Sequence, residues 1–264
     1  MKLLLSNDDG YFAPGIETLL QAIQCVDHKL FNDTLQEIVL IAPDRNRSAA
    51  SNSLTLMEPL RMNARKVNQA DSQVPVTVYG VNGTPTDCVH IGVNGALGFQ
   101  PDVVVSGINA GANMGDDVLY SGTVAAATEG RFLGKPSIAI SLCGDQHFDT
   151  AAKIFIELFA REQPLPLSSD TIININVPDL PYEQIKGVKV TRLGRRHASE
   201  PVVQQLDPRG LPIYWIGPAG VAADAADGTD FAAVEAGYVS ITPLKIDLTE
   251  HNALNALSKW LSVS

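Results

Sequence analysis

Six short, almost wholly apolar runs punctuate the first two thirds of the chain, with helical patterns between most of them. They are KLLLS (Lys2 to Ser6), EIVLIA (Glu37 to Ala42), VTVYGV (Val76 to Val81), DVVVS (Asp102 to Ser106), SIAISL (Ser137 to Leu142) and TIININV (Thr171 to Val177). Most lack strict apolar–polar alternation, so they read as strands buried on both faces, as in a parallel sheet covered by helices. Pro14-Gly15 opens a helix with Ile16, Leu19, Leu20 and Ile23 on one face. Thr84, Pro85 and Asp87 form an acidic variant of the capping box that starts a second helix, running to about Leu97. Further helices are predicted from about Thr123 to Leu133 and from Thr150 to Arg161. The alternation predicts an α/β protein with a doubly wound, mostly parallel, Rossmann-like sheet.

The pattern changes after Pro178. Val188 to Leu193, Ile213 to Ile216 and Tyr238 to Thr242 read as short strands, and Val221 to Asp230 as a loop. Thr249 is positioned to cap a terminal helix carrying Leu254, Leu257 and Leu261 on one face. The reading is one domain over 1–264, with a core at 1–178 and a hairpin-and-helix appendage at 179–264.

Composition narrows the partners. The formal net charge of −10 over 264 residues argues against a long nucleic acid, whose phosphates need a basic surface. A small anion stays admissible if a metal supplies local positive charge. Cys25, Cys88 and Cys143 lie far apart without metal-ligand spacing, and are read as reduced residues of a cytoplasmic protein. The stretch before the first acids is too short for a signal peptide, and the chain has no run of about 18 apolar residues, so no membrane span is expected.

The chemistry is carried by loops that follow strands. Asn7, Asp8, Asp9 and Gly10 come directly after the first. Adjacent carboxylates repel, so a cation, a shared proton or strong hydrogen bonding must offset the cost. An Asx-turn through Asn7 or Asp8 is the alternative local reading. The second loop reads PDRNRSAASNS, with Ser48 near its middle; the third, Gly107 to Gly115, contains Asn109 and Asn113. In a doubly wound sheet these loops share the edge where ligands bind. Their carboxylates, hydroxyl and amides are the oxygen donors that suit magnesium, manganese or calcium. Ser121, Gly122 and Thr123 then open a helix, whose free N–H groups and positive dipole end suit a phosphate; ordinary N-capping by Ser121 or Thr123 is the competing account. Gly107, Gly111 and Gly115 do not match a dinucleotide fingerprint, and no Gly-x-Ser-x-Gly elbow occurs. His197, after Arg192, Arg195 and Arg196, belongs to a basic cluster that reads equally as an anion contact or as a solvated or intersubunit charge cluster. Asp116 and Asp117 read as groups supporting the site, as solvated loop residues or as helix caps.

Taken in order, SNDDG (Ser6 to Gly10), APDRNRS (Ala42 to Ser48), GTPTDCV (Gly83 to Val89), SGIN (Ser106 to Asn109) and YSGTVAAATEG (Tyr120 to Gly130) closely resemble the SurE family of stationary-phase survival proteins. NINVPDLP (Asn174 to Pro181) and GYVSITPL (Gly237 to Leu244) extend the resemblance into the last third. The resemblance implies a divalent-metal-dependent 5'-nucleotidase, a phosphoric monoester hydrolase acting on nucleoside 5'-monophosphates, often on 3'-monophosphates and in some members on polyphosphate. By position it implies one ion per subunit on Asp8, Asp9, Ser48 and Asn109, with Mg2+ or Mn2+ expected and Ca2+ permitted. Asn113, Ser121, Gly122 and Thr123 correspond to the phosphate-binding and catalytic region. Catalysis is assigned to Asp8, Asp9, Asn113 and Ser121, through attack of a metal-activated water. The resemblance also implies a homodimer formed by exchange of C-terminal elements, or a homotetramer. Two departures stand out. Ser51-Asn52-Ser53 replaces a Gly-His-Ser common in relatives, and Ala112 stands where many have Pro.

Three rival readings remain at this point. An aspartyl-phosphate phosphatase is disfavoured because its Asp-x-Asp spacing is absent. A signalling receiver domain is disfavoured because the third strand ends at Val81-Asn82 without an acceptor aspartate. A nucleotide-sensing module without turnover is the third.

Overall fold

The structure, a computed structural model, describes residues 1–26, 29–66, 74–131, 137–163, 166, 170–196, 201–217 and 220–262. Leu133, the expected end of one helix, and His197 lie outside the described residues. The first two thirds run β1 (Lys2–Ser6), α1 (Pro14–Gln24), β2 (Glu37–Pro43), β3 (Met62–Arg65), β4 (Val76–Val81), α2 (Pro85–Val93), β5 (Val103–Ala110), α3 (Gly122–Gly130), β6 (Ser137–Leu142), α4 (Phe148–Phe159) and β7 (Ile172–Val177). The last third adds β8 (Val188–Val190), β9 (Arg195–Arg196), β10 (Val203–Leu206), β11 (Pro212–Trp215), β12 (Ala222–Asp224), α5 (Asp230–Glu235), β13 (Val239–Leu244) and α6 (Leu254–Ser262). A single 3-10 stretch, Gly115–Leu119, connects β5 to α3.

Among the described residues the central sheet has nine strands in the order β3-β4-β2-β1-β5-β6-β7-β13-β8. From β4 to β7 all neighbours are parallel. The chain winds outward from β1 through β2 to β4, then returns to place β5 on the other side of β1. The gap beyond the carboxyl ends of β1 and β5 is therefore the topological switch point, where open α/β sheets hold ligands.

Both faces of the sheet are covered, as the apolar runs require. Leu3 and Leu5 pack with Ile16, Leu19 and Phe155 under α1 and α4, while Leu4 packs with Cys88, Val89 and Ala126 under α2 and α3. Leu3, Leu4 and Leu5 are all fully buried. Removing one of them for alanine costs about 2–5 kcal/mol.

Several elements differ from the sequence reading. β5 continues to Ala110 instead of stopping at Ser106, because pairing with β6 resumes at Asn109–Ser141 after a register shift. A bulge of this kind re-aims side chains near a sheet edge, and here it leaves Asn109 on a strand end. The second helix stops at Val93, not Leu97, where the Asn94 side chain turns back to bond the His90 carbonyl at 3.0 Å. β3, β9, β10, β12 and α5 have no counterpart in the sequence reading. β12 lies within the stretch expected as a loop, and pairs with β9 in a separate ladder.

Beyond Pro178, β8 and β13 complete the central sheet, so the projecting part of the last third is smaller than the sequence suggests. It comprises the β10–β11 hairpin and α6, whose Tyr214, Trp215, Trp260 and Leu261 are exposed. Among the described residues no helix is long and apolar enough to cross a membrane.

Candidate active site at the switch point

The site begins where β1 ends. Asn7 makes the expected Asx-type turn: its Oδ1 accepts the Gly10 N–H at 3.1 Å and its Nδ2 donates to the Gly10 carbonyl at 2.9 Å. That turn leaves both following carboxylates available for other partners. Asp8 is only 4% exposed. Its Oδ1 accepts the Thr123 hydroxyl at 2.5 Å. Asp9 joins two loops: Oδ1 accepts the Asn46 side-chain amide at 3.0 Å, and Oδ2 accepts the Ala110 N–H at 3.1 Å.

Burial pushes the Asp8 carboxyl up from 3.8 to about 6; the Thr123 hydroxyl opposes the rise and the neighbouring Asp9 charge adds to it. Asp9 is also raised by burial, opposed by the Ala110 N–H and the Asn46 amide. Two adjacent carboxylates, both held above their ordinary range, mark a place where a positive charge binds favourably.

The loop after β2 is pinned against this pair. Arg47 N–H donates to the Asp8 carbonyl at 2.7 Å, and the Arg47 guanidinium donates to the Asn82 carbonyl at 2.8 Å. Ser48 donates through its hydroxyl to Asn46 Oδ1 at 2.7 Å, so Asp9, Asn46 and Ser48 form one chain of contacts. Asn109 donates its amide N–H to the Gly111 carbonyl at 2.7 Å. That contact uses the nitrogen and leaves the amide oxygen as a donor to a cation. Among the described residues no three His, Cys, Asp or Glu side chains gather to hold a metal. A cation placed here would have to rest on two carboxylates plus neutral hydroxyl and amide oxygens, a donor set that would fit a hard divalent ion.

The start of α3 carries two duties. The Ser121 hydroxyl caps the helix, accepting the Val124 N–H at 3.0 Å, as the capping account expected. A hydroxyl that accepts still has its own proton to donate. Thr123 is fully buried, and its hydroxyl serves Asp8 instead of facing a ligand. Gly122 is required by contact. A Cβ there would lie 2.7 Å from Asp8 Cβ and 2.8 Å from Asp8 Oδ2. The positive end of α3 thus faces Asp8 directly, which stabilises its charged form.

Asn113 is fixed from behind. Its N–H donates to Asn176 Oδ1 at 2.8 Å, and its carbonyl accepts the amides of Asn174 at 2.8 Å and Asn176 at 3.0 Å. Its own Nδ2 donates to the Ser141 hydroxyl at 2.8 Å. Asn46, Ser141, Asn174 and Asn176 are supporting residues that the sequence reading does not single out. The available signal was the spacing of Asn174 and Asn176, two apart in an otherwise apolar strand and hence on one face.

Two arginines of the basic cluster are held in ion pairs. Arg192 pairs with Asp224 at 2.7 Å, and Arg196 pairs with Asp117. Asp116 and Asp117 are accordingly held by Arg196, whose N–H and guanidinium they accept.

Fold and site together define an α/β protein with a paired-carboxylate, all-oxygen donor site at its switch point, beside a helix N-terminus. The chain belongs to the SurE family: the family model described as Survival protein SurE matches residues 3–200. A relative from Hydrogenovibrio crunogenus, named 5'-nucleotidase SurE, is 65% identical over 260 residues, spanning 98% of each chain. A Proteus mirabilis relative, 53% identical over 99% of this chain and 96% of its own length, is named 5'/3'-nucleotidase SurE. The crystal structure of the SurE protein from Aquifex aeolicus superposes with a TM-score of 0.78 at 42% identity, covering 99% of this chain and 100% of that one.

Proposed function

We propose that this chain is a divalent-metal-dependent 5'-nucleotidase, a phosphomonoesterase that converts nucleoside 5'-monophosphates to nucleoside and phosphate. The observation that carries the reading is the Asp8–Asp9 pair at the switch point, with Asp8 buried and pushed up to about 6. The names of full-length relatives at 53–65% identity support the substrate class, and the Proteus mirabilis name supports 3'-monophosphates as further substrates. Short polyphosphate extends the same chemistry to a phosphoanhydride.

Asp8, Asp9, Ser48 and Asn109 would hold one Mg2+ or Mn2+ ion, with Ca2+ as an alternative. When bound, such an ion neutralises phosphate charge and lowers the pKa of a coordinated water. Ser121 donates its hydroxyl, and Gly122 its N–H, to the phosphoryl oxygens. Asn113, clamped by Asn174 and Asn176, adds an amide at a fixed position. Thr123 orients Asp8. One of the two adjacent carboxylates accepts the proton of the attacking water. The leaving alkoxide is protonated by solvent.

The exposed hairpin aromatics and α6 support assembly into a homodimer or homotetramer. The free cysteines support a cytoplasmic setting.

The test is phosphate release from nucleoside 5'- and 3'-monophosphates and short polyphosphate, after chelation and again with Mg2+ or Mn2+ restored. Metal-dependent release is expected. Well-folded protein that releases none with any metal overturns the reading.

A further inference from the structure

Between Asn113 and Ser121 runs the 3-10 stretch Gly115–Leu119. It is the only covalent link between two of the groups proposed to hold phosphate. Its position is set by the last third of the chain. Asp230, fully buried, accepts the Gly115 N–H on Oδ2 at 2.7 Å and the Gly194 N–H on Oδ1 at 2.8 Å. Gly115 has φ +54, and a Cβ there would lie 2.7 Å from the Phe231 ring. The backbone at Gly115 is thus pressed onto that ring, where only glycine fits.

Arg196 completes the grip. Its guanidinium lies over the Phe231 ring, 4.8 Å from the centroid, and its Nε donates to Asp117 Oδ2. Its backbone N–H donates to Asp116 Oδ2 at 3.1 Å, and a terminal guanidinium nitrogen donates to the Gly220 carbonyl at 3.1 Å. Asp117 then passes this placement on directly, since its carbonyl accepts the Ser121 N–H at 3.1 Å. One residue therefore grips Arg196 with its side chain and the start of α3 with its backbone.

We infer that Arg196, acting through Asp117 and supported by Asp230 and Phe231, is a positioning residue that lets the C-terminal third set the placement of the Ser121 phosphate-binding turn. The inference rests on the proposed phosphatase reading for its consequence, though not for its geometry. A misplacement of about 1 Å in such a site lowers turnover by up to roughly a hundredfold. A partly exposed ion pair at the surface with no such role changes little.

The full-length protein carries the test, with phosphate release from a nucleoside 5'-monophosphate and amide hydrogen exchange of residues 114–124 measured together. Arg196→Ala is expected to lower kcat/KM about tenfold and to speed exchange across 114–124, while exchange in β1 stays unchanged. Arg196→Lys recovers part of both. Asp117→Asn reproduces the loss, and the Arg196→Ala/Asp117→Asn pair loses no more than either alone, as expected for one shared interaction. Arg192→Ala breaks the Arg192–Asp224 pair in the same region without touching 114–121 and should leave both readouts unchanged. Wild-type kcat/KM and exchange in Arg196→Ala overturn the inference, as does a loss that Arg192→Ala matches. A wild type without phosphate release overturns the phosphatase reading, while the exchange measurement still decides the positioning.

Discussion

The Thr123 hydroxyl donates to Asp8 Oδ1 at 2.5 Å, tying the first turn of α3 to the end of β1 across 115 positions of sequence. Both residues are buried. The bond fixes where one carboxylate of the pair points, and it opposes the rise in Asp8 pKa that burial causes. Thr123→Val keeps the shape and deletes the donor. A hydrogen bond to a charged group contributes about 1.5–3 kcal/mol, so kcat/KM should fall roughly ten- to a hundredfold. Thr123→Ser should recover most of it in the same steady-state assay.

Gly122→Ala should be damaging, although alanine is ordinarily the better helix residue. The new methyl would sit 2.7 Å from Asp8 Cβ and 2.8 Å from Oδ2. Either Asp8 or the start of α3 must shift, at a cost of about 1–3 kcal/mol. Thermal unfolding should show the lowered midpoint, and activity should fall further than stability does.

Asp8 should lower the stability of the metal-free protein as pH rises to neutrality. Its folded-state pKa, about 6, lies above the ordinary 3.8, so the folded state binds more protons between those values. Unfolding free energy therefore falls as pH rises through that window, by on the order of 3 kcal/mol. Chemical denaturation in chelator from pH 4 to 7 should show this slope. Asp8→Asn should flatten it and be the more stable protein at pH 7, while losing activity.

Asn174 and Asn176 should differ. Asn176 serves both the N–H and the carbonyl of Asn113, whereas Asn174 serves the carbonyl alone and has a buried Oδ1 without a hydrogen-bond partner among the described residues. Asn176→Leu strands the buried Asn113 N–H and should cost about 1–3 kcal/mol. Asn174→Leu should cost less, and denaturant midpoints of the two variants measure the gap.

The sheet was legible in the sequence because its strands are buried on both faces and so read as unbroken apolar runs; the register Leu3–Ile38 and Leu3–Val103 lies inside such runs. β3 was not legible. Met62–Arg65 is a mostly exposed edge strand without an apolar pattern, held by its pairing with β4. β10 is likewise exposed along its length. In the site, Asp8, Asp9, Ser48, Asn109 and Asn113 are legible as polar residues of loops expected after strands. The choice of Asp8, Asp9, Ser48 and Asn109 as an ion's ligands comes from the family resemblance, and Asn109 lies within the extended β5. The sequence does not single out Asn46, since its role is to bond Asp9 and Ser48 across space. The split of duties at α3, with Ser121 capping and Thr123 turned to Asp8, depends on side-chain direction, which spacing alone does not give.

The most direct test of the central claim is a Mn2+ titration of chelated protein, following bound ion by electron paramagnetic resonance and phosphate release from a nucleoside 5'-monophosphate in the same samples. The account predicts one ion per chain, activity that rises in proportion to bound ion, and loss of both in Asp9→Asn with the fold retained. Full activity in chelated protein, or ion binding and turnover that survive in Asp9→Asn, would contradict it.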